Sequence, residues 1–239
     1  MKRLLTIVVM VMAMIITAEA RTYVMSVGVS RYQDQQMNLE QTTKDAKQFK
    51  AVMENHTKNI TILTSKYANR ANVLEKLRAI CNRAQKGDQI VLYFSCHGYA
   101  GGIYVYDGGI SYETLDEELS KSGASVKVCI VDACHAGSVG STATSGLPSS
   151  KKVIYMLGCR AEEMSAESPL VGHGFFTQAL LKGIRGKADA NGDKQITIME
   201  LFNYVYNDVQ HTTAKMEKSQ HPQLIGSKEI AKEVIVSWD

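Results

Sequence analysis

Segment 90–98, Ile-Val-Leu-Tyr-Phe-Ser-Cys-His-Gly, decides the fold, because five apolar residues in a row lead directly into polar and reactive side chains. Strands that are apolar throughout, rather than at alternate positions, are typically buried on both faces of a sheet. Segment 128–137, Val-Cys-Ile-Val-Asp-Ala-Cys-His-Ala-Gly, has a similar pattern. The two segments predict central strands of a sheet that helices cover on both sides.

Amphipathic stretches separate the apolar runs along most of the chain. The predicted strands are residues 23–29, 60–63, 90–94, 126–131 and 153–157. The predicted helices are residues 43–55, 72–85, 112–121, 175–184 and 197–209, with a glycine-rich hairpin at 101–109. Strands that alternate with helices favour a mostly parallel sheet, so the predicted fold class is α/β, a three-layer α/β/α sandwich.

The first twenty residues have the pattern of a secretory signal peptide. Lys2 and Arg3 precede an apolar run over residues 4–18, and residues 18–20, Ala-Glu-Ala, fit a small-x-small cleavage site. A membrane anchor is the alternative, but a spanning helix needs roughly 20 apolar residues. We therefore expect a signal peptide at 1–20, export to the periplasm or the cell exterior, and no membrane attachment after cleavage.

Residues 21–239 have the length of one domain, which at this size buries about 70% of the surface of its unfolded chain. The full chain carries 27 Lys and Arg against 24 Asp and Glu, and two of the basic residues belong to the predicted leader. Domains that bind nucleic acid are typically strongly basic. We therefore expect one domain and no nucleic-acid partner.

The five cysteines are too few and too scattered for a disulfide framework. Cys81, Cys129 and Cys159 lie in or beside apolar patterns, so we expect them to be buried as small hydrophobes. Cys134 differs, because it follows the end of a predicted strand.

His97 and Cys134 both lie beyond strand ends, at the edge of an α/β sheet where functional groups gather. A neighbouring imidazole favours the reactive thiolate and later protonates a leaving amine, so Cys134 is the predicted nucleophile and His97 its proton-transfer partner. The N–H groups of Gly98 and Cys134 are the predicted oxyanion donors, because glycine lets the backbone approach a carbonyl closely. Asp132 places a carboxylate on the same side of the strand as Cys134.

Other interpretations of these residues stay open. A zinc site could combine Cys96 and His97 with Cys134 and His135, although adjacent ligands do not easily converge on one metal. His135 could be the base, although neighbours in an extended chain point apart. A non-catalytic binding module would have the same fold, although it has no physical reason to keep both reactive residues.

Several motifs resemble those of the caspases and metacaspases. Residues 95–98, Ser-Cys-His-Gly, resemble their histidine motif, and residues 132–137, Asp-Ala-Cys-His-Ala-Gly, resemble their cysteine motif. The similarity extends through residues 27–34, 44–46, 172–181 and 221–223. The resemblance implies a caspase-hemoglobinase fold with a mostly parallel six-stranded sheet. It also implies a Cys/His dyad that hydrolyses bonds in peptides or proteins.

The resemblance also implies a preference for the P1 residue, which lies on the amino side of the scissile bond. Metacaspases accept Arg or Lys in an acidic pocket whose positions match Asp45, Ser95 and Asp132 here. Caspases that cleave after aspartate usually have Gln where this chain has Asp132. Buried carboxylates favour a cation and reject an anion, so we expect basic P1 specificity. For Asp45, a solvated or capping residue near a helix start is the alternative.

Residues 189–200 resemble a calcium loop of the EF-hand type. The candidate ligands are Asp189, Asn191, Asp193, Gln195 and Glu200. Lys194 departs from the pattern, because it stands where a sharp turn normally requires glycine. The stretch predicts either a calcium site or a loop and cap before a helix, and a calcium-binding protein without catalysis is the third functional class. The peptidase chemistry itself needs no cofactor.

Residues 137–152 are rich in Gly and Ser and end in Lys151 and Lys152. This composition predicts an exposed loop. Relatives often carry an activation linker at this place, so self-cleavage after either lysine is one hypothesis and a plain loop is the other.

Overall fold

The computed structural model describes residues 20–133, 153–159, 167–168, 173–217 and 219–238. The predicted leader up to residue 19, Cys134, Lys151 and Lys152 lie outside these ranges. The helices are α1 (Thr42–Met53), α2 (Arg70–Arg83), α3 (Tyr112–Ser120), α4 (Phe175–Lys182) and α5 (Ile198–Ala214), and a π-helical turn (Gly183–Lys187) follows α4. The strands are β1 (Thr22–Gly28), β2 (Asn59–Thr64), β3 (Gln89–Ser95), β4 (Gly98–Tyr99), β5 (Gly102–Val105), β6 (Gly108–Ser111), β7 (Val126–Asp132), β8 (Ile154–Leu157), β9 (Glu167–Ser168), β10 (His173–Gly174), β11 (Gln195–Thr197), β12 (Gln223–Ile225) and β13 (Val234–Ser237).

Six strands form the central sheet, in the order β12-β8-β7-β3-β1-β2. Neighbours from β2 to β8 pair in parallel, and β12 runs antiparallel to β8 at one edge. The predicted mostly parallel, six-stranded sheet is confirmed. The apolar pattern alone did not reveal β12, because this strand has three residues and all of them are only partly buried.

Both faces of the sheet are covered, because the central strands are apolar on both sides. Val91 and Val128 belong to the hydrophobic cluster that includes α1, α4 and α5, whereas Leu92 and Cys129 belong to the cluster that includes α2 and α3. Burying one such aliphatic side chain contributes about 1.5–3 kcal/mol of transfer free energy. The predicted three-layer sandwich is confirmed. Within the described ranges, none of the helices is long and apolar enough to span a bilayer.

The four cysteines that the structure describes are buried, and no disulfide joins them. The predicted burial of Cys81, Cys129 and Cys159 is confirmed. Burial raises the pKa of Cys81 to about 11 and raises that of Cys129 as well. With a raised pKa, both thiols stay protonated. Because the thiolate is the reactive form, these two side chains act as packing residues.

Helix α1 approaches the end of β1 closely at Gly28. A Cβ atom at this position would lie 2.2 Å from the carbonyl oxygen of Thr42 and 2.7 Å from Cβ of Ala46. Only glycine permits this approach. Gly28 pairs with Ser95 of β3, so the same contact brings the first turns of α1, including Asp45, to the end of β3.

Candidate active site

The carboxyl ends of β3 and β7 lie side by side. The two strands pair in parallel over their full length, and their last residues, Ser95 and Asp132, are partners in the register. His97 and Cys134 each follow two residues later in the sequence. The strands from which His97 and Cys134 follow are therefore neighbours, while Cys134 itself lies outside the described residues.

The loop between β1 and α1 positions His97. Its Nε2 atom lies 2.9 Å from the carbonyl oxygen of Met37. A carbonyl oxygen only accepts hydrogen bonds, so Nε2 carries a proton in this arrangement and Nδ1 is the basic nitrogen.

Tyr32 supports His97 from the same loop. The backbone N–H of His97 donates to the Tyr32 hydroxyl oxygen at 2.8 Å, and the centroids of the two rings are 5.3 Å apart. Burial, followed by the nearby thiol of Cys96, raises the pKa of Tyr32 well above its usual value. The phenol therefore stays neutral, and it donates to the carbonyl oxygen of Tyr104 at 3.4 Å.

Two buried carboxylates lie at the same edge of the sheet. Asp45 of α1 is 2% exposed, and Asp132 at the end of β7 is 6% exposed. The Ser95 hydroxyl donates to Oδ2 of Asp45 at 3.0 Å. The structure thus brings the three predicted pocket residues together. The N-cap of α1 is Gln41, and the burial of Asp45 excludes the alternative of a solvated side chain.

A chain of hydrogen bonds ties Asp132 to helix α4. Thr177 donates its hydroxyl to Oδ2 of Asp132 at 2.6 Å and its backbone N–H to the same oxygen at 3.2 Å. The Thr177 hydroxyl has one proton, so the Tyr93 hydroxyl, 2.6 Å away, is the donor in their contact. Burial raises the pKa of Tyr93 well above its usual value, and the charges of Asp45 and Asp132 raise it further.

Asp132 takes the place of an N-cap side chain for α4. The N-cap residue is Gly174, which has no side chain to accept the first N–H groups of the helix. A Cβ atom on Gly174 would lie 2.7 Å from Oδ2 of Asp132, so glycine allows the helix to close on the carboxylate. The start of the helix, where the dipole is positive, thus lies against an acidic side chain.

The two predicted oxyanion donors lie in different parts of the chain. Gly98 begins β4 and pairs with Ile103 of β5, directly after His97. The second predicted donor, the N–H of Cys134, lies outside the described residues. The oxyanion site therefore stays a prediction.

The loop at residues 189–200 forms a hydrogen-bonded turn and a helix cap. The two carboxylate oxygens of Asp189 accept the N–H groups of Gly192 and Lys194, and Lys194 has a φ of 64°. Oε2 of Glu200 accepts both the N–H and the hydroxyl of Thr197, which completes a capping box for α5.

In the described part of the chain, no three His, Cys, Asp or Glu side chains converge where they could hold a metal. Calcium binding by this loop stays a prediction.

Residues 21–232 match the family model for the caspase domain of peptidase family C14. The chain belongs to the caspase domain family. Members of this family are cysteine peptidases, and a peptidase domain implies peptide or protein substrates. A search of curated proteins finds no match to the chain.

Two solved structures share the fold of this chain. Caspase-1 from Spodoptera frugiperda is similar with a TM-score of 0.64 and 14% identity, over 87% of this chain and 87% of that one. A protein from Geobacter sulfurreducens is similar with a TM-score of 0.65 and 17% identity, over 89% of this chain and 97% of that one. At such identities the similarity concerns the fold alone.

Sequence reasoning did not identify Tyr32, Met37, Tyr93 and Thr177 as site residues. Thr177 lies in a segment that resembles the family, but nothing in that segment names its partner. The other three contact residues that are remote in sequence. Met37 and His97, for example, are 60 positions apart.

We expect Thr177→Val to destabilise the protein by about 1–3 kcal/mol, because it removes a buried hydroxyl that serves as donor to Asp132 and acceptor from Tyr93. Unfolding in urea, monitored by circular dichroism, measures the change in stability. Thr177→Ser retains the hydroxyl and is the matched control. If the Val and Ser variants unfold at the same urea concentration, the hydrogen-bond chain does not stabilise the site.

Proposed function

We propose that the chain is a cysteine endopeptidase that cleaves after Arg or Lys, with Cys134 as nucleophile and His97 as its proton-transfer partner. The observation that carries the proposal is the pairing of Ser95 with Asp132. This pairing makes neighbours of the two strand ends from which His97 and Cys134 follow. Family membership adds the expectation of cysteine peptidase chemistry.

The proposed reaction has two halves. His97 accepts the proton of Cys134, and the thiolate attacks the carbonyl carbon of the scissile bond. The N–H groups of Gly98 and Cys134 hold the oxyanion of the tetrahedral intermediate. His97 then protonates the amine as the C–N bond breaks, and in the second half it takes a proton from the water that hydrolyses the thioester.

The proposed P1 preference follows from charge. Asp45 and Asp132 are buried carboxylates, and their negative field is felt by Tyr93, whose pKa both of them raise. An Arg or Lys side chain entering this region gains charge-assisted hydrogen bonds. An acidic side chain would be repelled and would also lose its hydration.

We also propose that the chain is exported and that residues 1–20 are removed. Self-cleavage after Lys151 or Lys152 is consistent with the proposed basic specificity. We propose that the peptidase reaction itself requires no cofactor. The non-catalytic binding module is the alternative that the following experiments test.

Replacing Cys134 by Ala, or His97 by Ala, is expected to reduce kcat/KM for an Arg-aminocoumarin peptide by at least about a thousandfold, because the nucleophile or its base is lost. Initial rates with and without calcium measure the effect and test the calcium prediction in the same series. Cys81→Ala, which removes a buried thiol of α2, is the control. Equal rates for wild type and Cys134→Ala would favour the binding module.

Intact-mass measurement of exported wild-type protein is expected to show a chain that begins at Arg21 and is clipped after Lys151 or Lys152. The Cys134→Ala form should begin at the same residue and remain unclipped, because self-cleavage needs the nucleophile. An unclipped wild-type chain contradicts self-processing, and retention of residues 1–20 contradicts export with cleavage.

Asp45→Asn is expected to lower kcat/KM for Arg and Lys at P1 by about ten- to a hundredfold, because it removes one charge but keeps an oxygen that accepts from Ser95. Turnover of a P1 Gln peptide should change much less. Glu54→Gln removes an exposed carboxylate just beyond the same helix and is the matched control. A similar loss for all P1 residues would mean that Asp45 is structural.

A further inference from the structure

A cavity of about 600 Å³ lies beside Tyr32, the residue that supports His97. Arg31, Tyr32 and Asn38 line it from the loop after β1, and Lys66 and Tyr67 line it from the turn after β2. It is therefore open at the same edge of the sheet as His97 and separate from the carboxylates at the ends of β3 and β7. None of the proposed P1 residues Asp45, Ser95 and Asp132 is among the described residues that line it.

The cavity has a positive wall. Arg31 and Lys66 are both exposed cations, and no carboxylate is among the described residues that line the cavity. Nη1 of Arg31 donates to the carbonyl oxygens of Ser30 and Leu39, both at 3.1 Å, and these contacts hold the guanidinium in place. A guanidinium has five N–H donors, so it can still bind a carboxylate.

The rim of the cavity adds an apolar surface. Tyr67 is 61% exposed, and Nζ of Lys66 lies 5.2 Å from the centroid of its ring. An exposed aromatic ring next to two cations suits a ligand that combines methylene groups with a negative charge. The side chains of Glu and Asp have this chemistry.

Tyr32 connects the cavity to the reaction centre. Tyr32 is part of the cavity wall, and its ring centroid lies 5.3 Å from that of His97. Its hydroxyl oxygen accepts the backbone N–H of His97. His97 protonates the amine of the leaving peptide, so the part of the substrate that follows the scissile bond passes next to this side chain. Each residue of an extended peptide spans about 3.3–3.6 Å. The cavity is thus within reach of the first few residues after the cleaved bond.

We propose that this cavity is a substrate subsite for an acidic side chain, Asp or Glu, within about three residues on the carboxyl side of the scissile bond. The assignment rests on the proposed peptidase function. With this subsite, the preferred substrate has a cationic side chain before the cleaved bond and an anionic side chain after it. The acidic region at Asp45 and Asp132 and the basic cavity would then fix the direction in which the peptide binds.

Internally quenched peptides test the subsite. They share one sequence up to an Arg at P1 and carry Glu, Gln or Lys at the second position after it. Because the proposed specificity also allows cleavage after Lys, product masses are used to count only cleavage after the Arg. We expect kcat/KM to be about fivefold or more higher for Glu than for Gln, and lowest for Lys, because two exposed cations contribute to binding. The preference should shrink as ionic strength rises, since exposed charges are screened by salt.

Lys66→Glu should abolish or reverse the ratio of kcat/KM between the Glu and Lys peptides. Lys86→Glu makes the same change in charge on an exposed residue of the turn before β3, at the opposite edge of the sheet, and should keep the ratio. Because the ratio is taken within each variant, a general change in activity cancels. An unchanged ratio in Lys66→Glu overturns the assignment to this cavity.

An Arg-aminocoumarin peptide, which has no residue after the cleaved bond, separates the two proposals. Turnover of this substrate without any preference among the Glu, Gln and Lys peptides overturns the subsite and leaves the peptidase function intact. Absence of its turnover contradicts the peptidase function, and the subsite with it.

Discussion

The parallel pairing of β3 with β7 is the constraint on which the rest of the site depends. Parallel strands that end together place the residues that follow them at one edge of the sheet. Here the pairing runs from Gln89 with Val126 to Ser95 with Asp132 without a shift in register. A slip by one residue would turn Ser95 or Asp132 to the other face of the sheet, away from α1 and α4.

Asp132 links the stability of the fold to the charge of the site. A buried carboxylate is costly unless it is hydrogen-bonded, and the start of α4 supplies both a backbone N–H and a hydroxyl through Thr177. In return the helix receives the cap that Gly174 does not provide. The acidic side chain of the proposed pocket is thus held by the fold itself, and the helix end and Asp132 depend on each other.

The apolar pattern predicted the layers and most of the strands, because burial on both faces of a parallel sheet leaves a continuous hydrophobic run in β1, β3 and β7. It did not reveal β12, a three-residue edge strand whose side chains are all partly exposed, or β13, a four-residue strand that pairs with β11 outside the central sheet. Motifs identified His97, Asp45, Ser95 and Asp132, since each lies in or next to a recognisable segment. Contacts that cross the fold, such as Tyr32 to His97, leave no local signal.

The two faces of the sheet have different polar roles near the site. Side chains alternate along a strand, so Tyr93, Ser95 and Asp132 all lie on the face that α1 and α4 cover, together with their partners Asp45 and Thr177. His97 follows the end of β3, and its partners come from the loop after β1.

In the proposed function, substrate charge and proton transfer are handled by separate groups of residues. A change in the acidic pocket would then alter which peptide binds without disturbing the imidazole. A change in the loop that holds His97 would alter the chemistry without changing the charge of the pocket. Such a separation would let a common fold keep one reaction while its specificity varies.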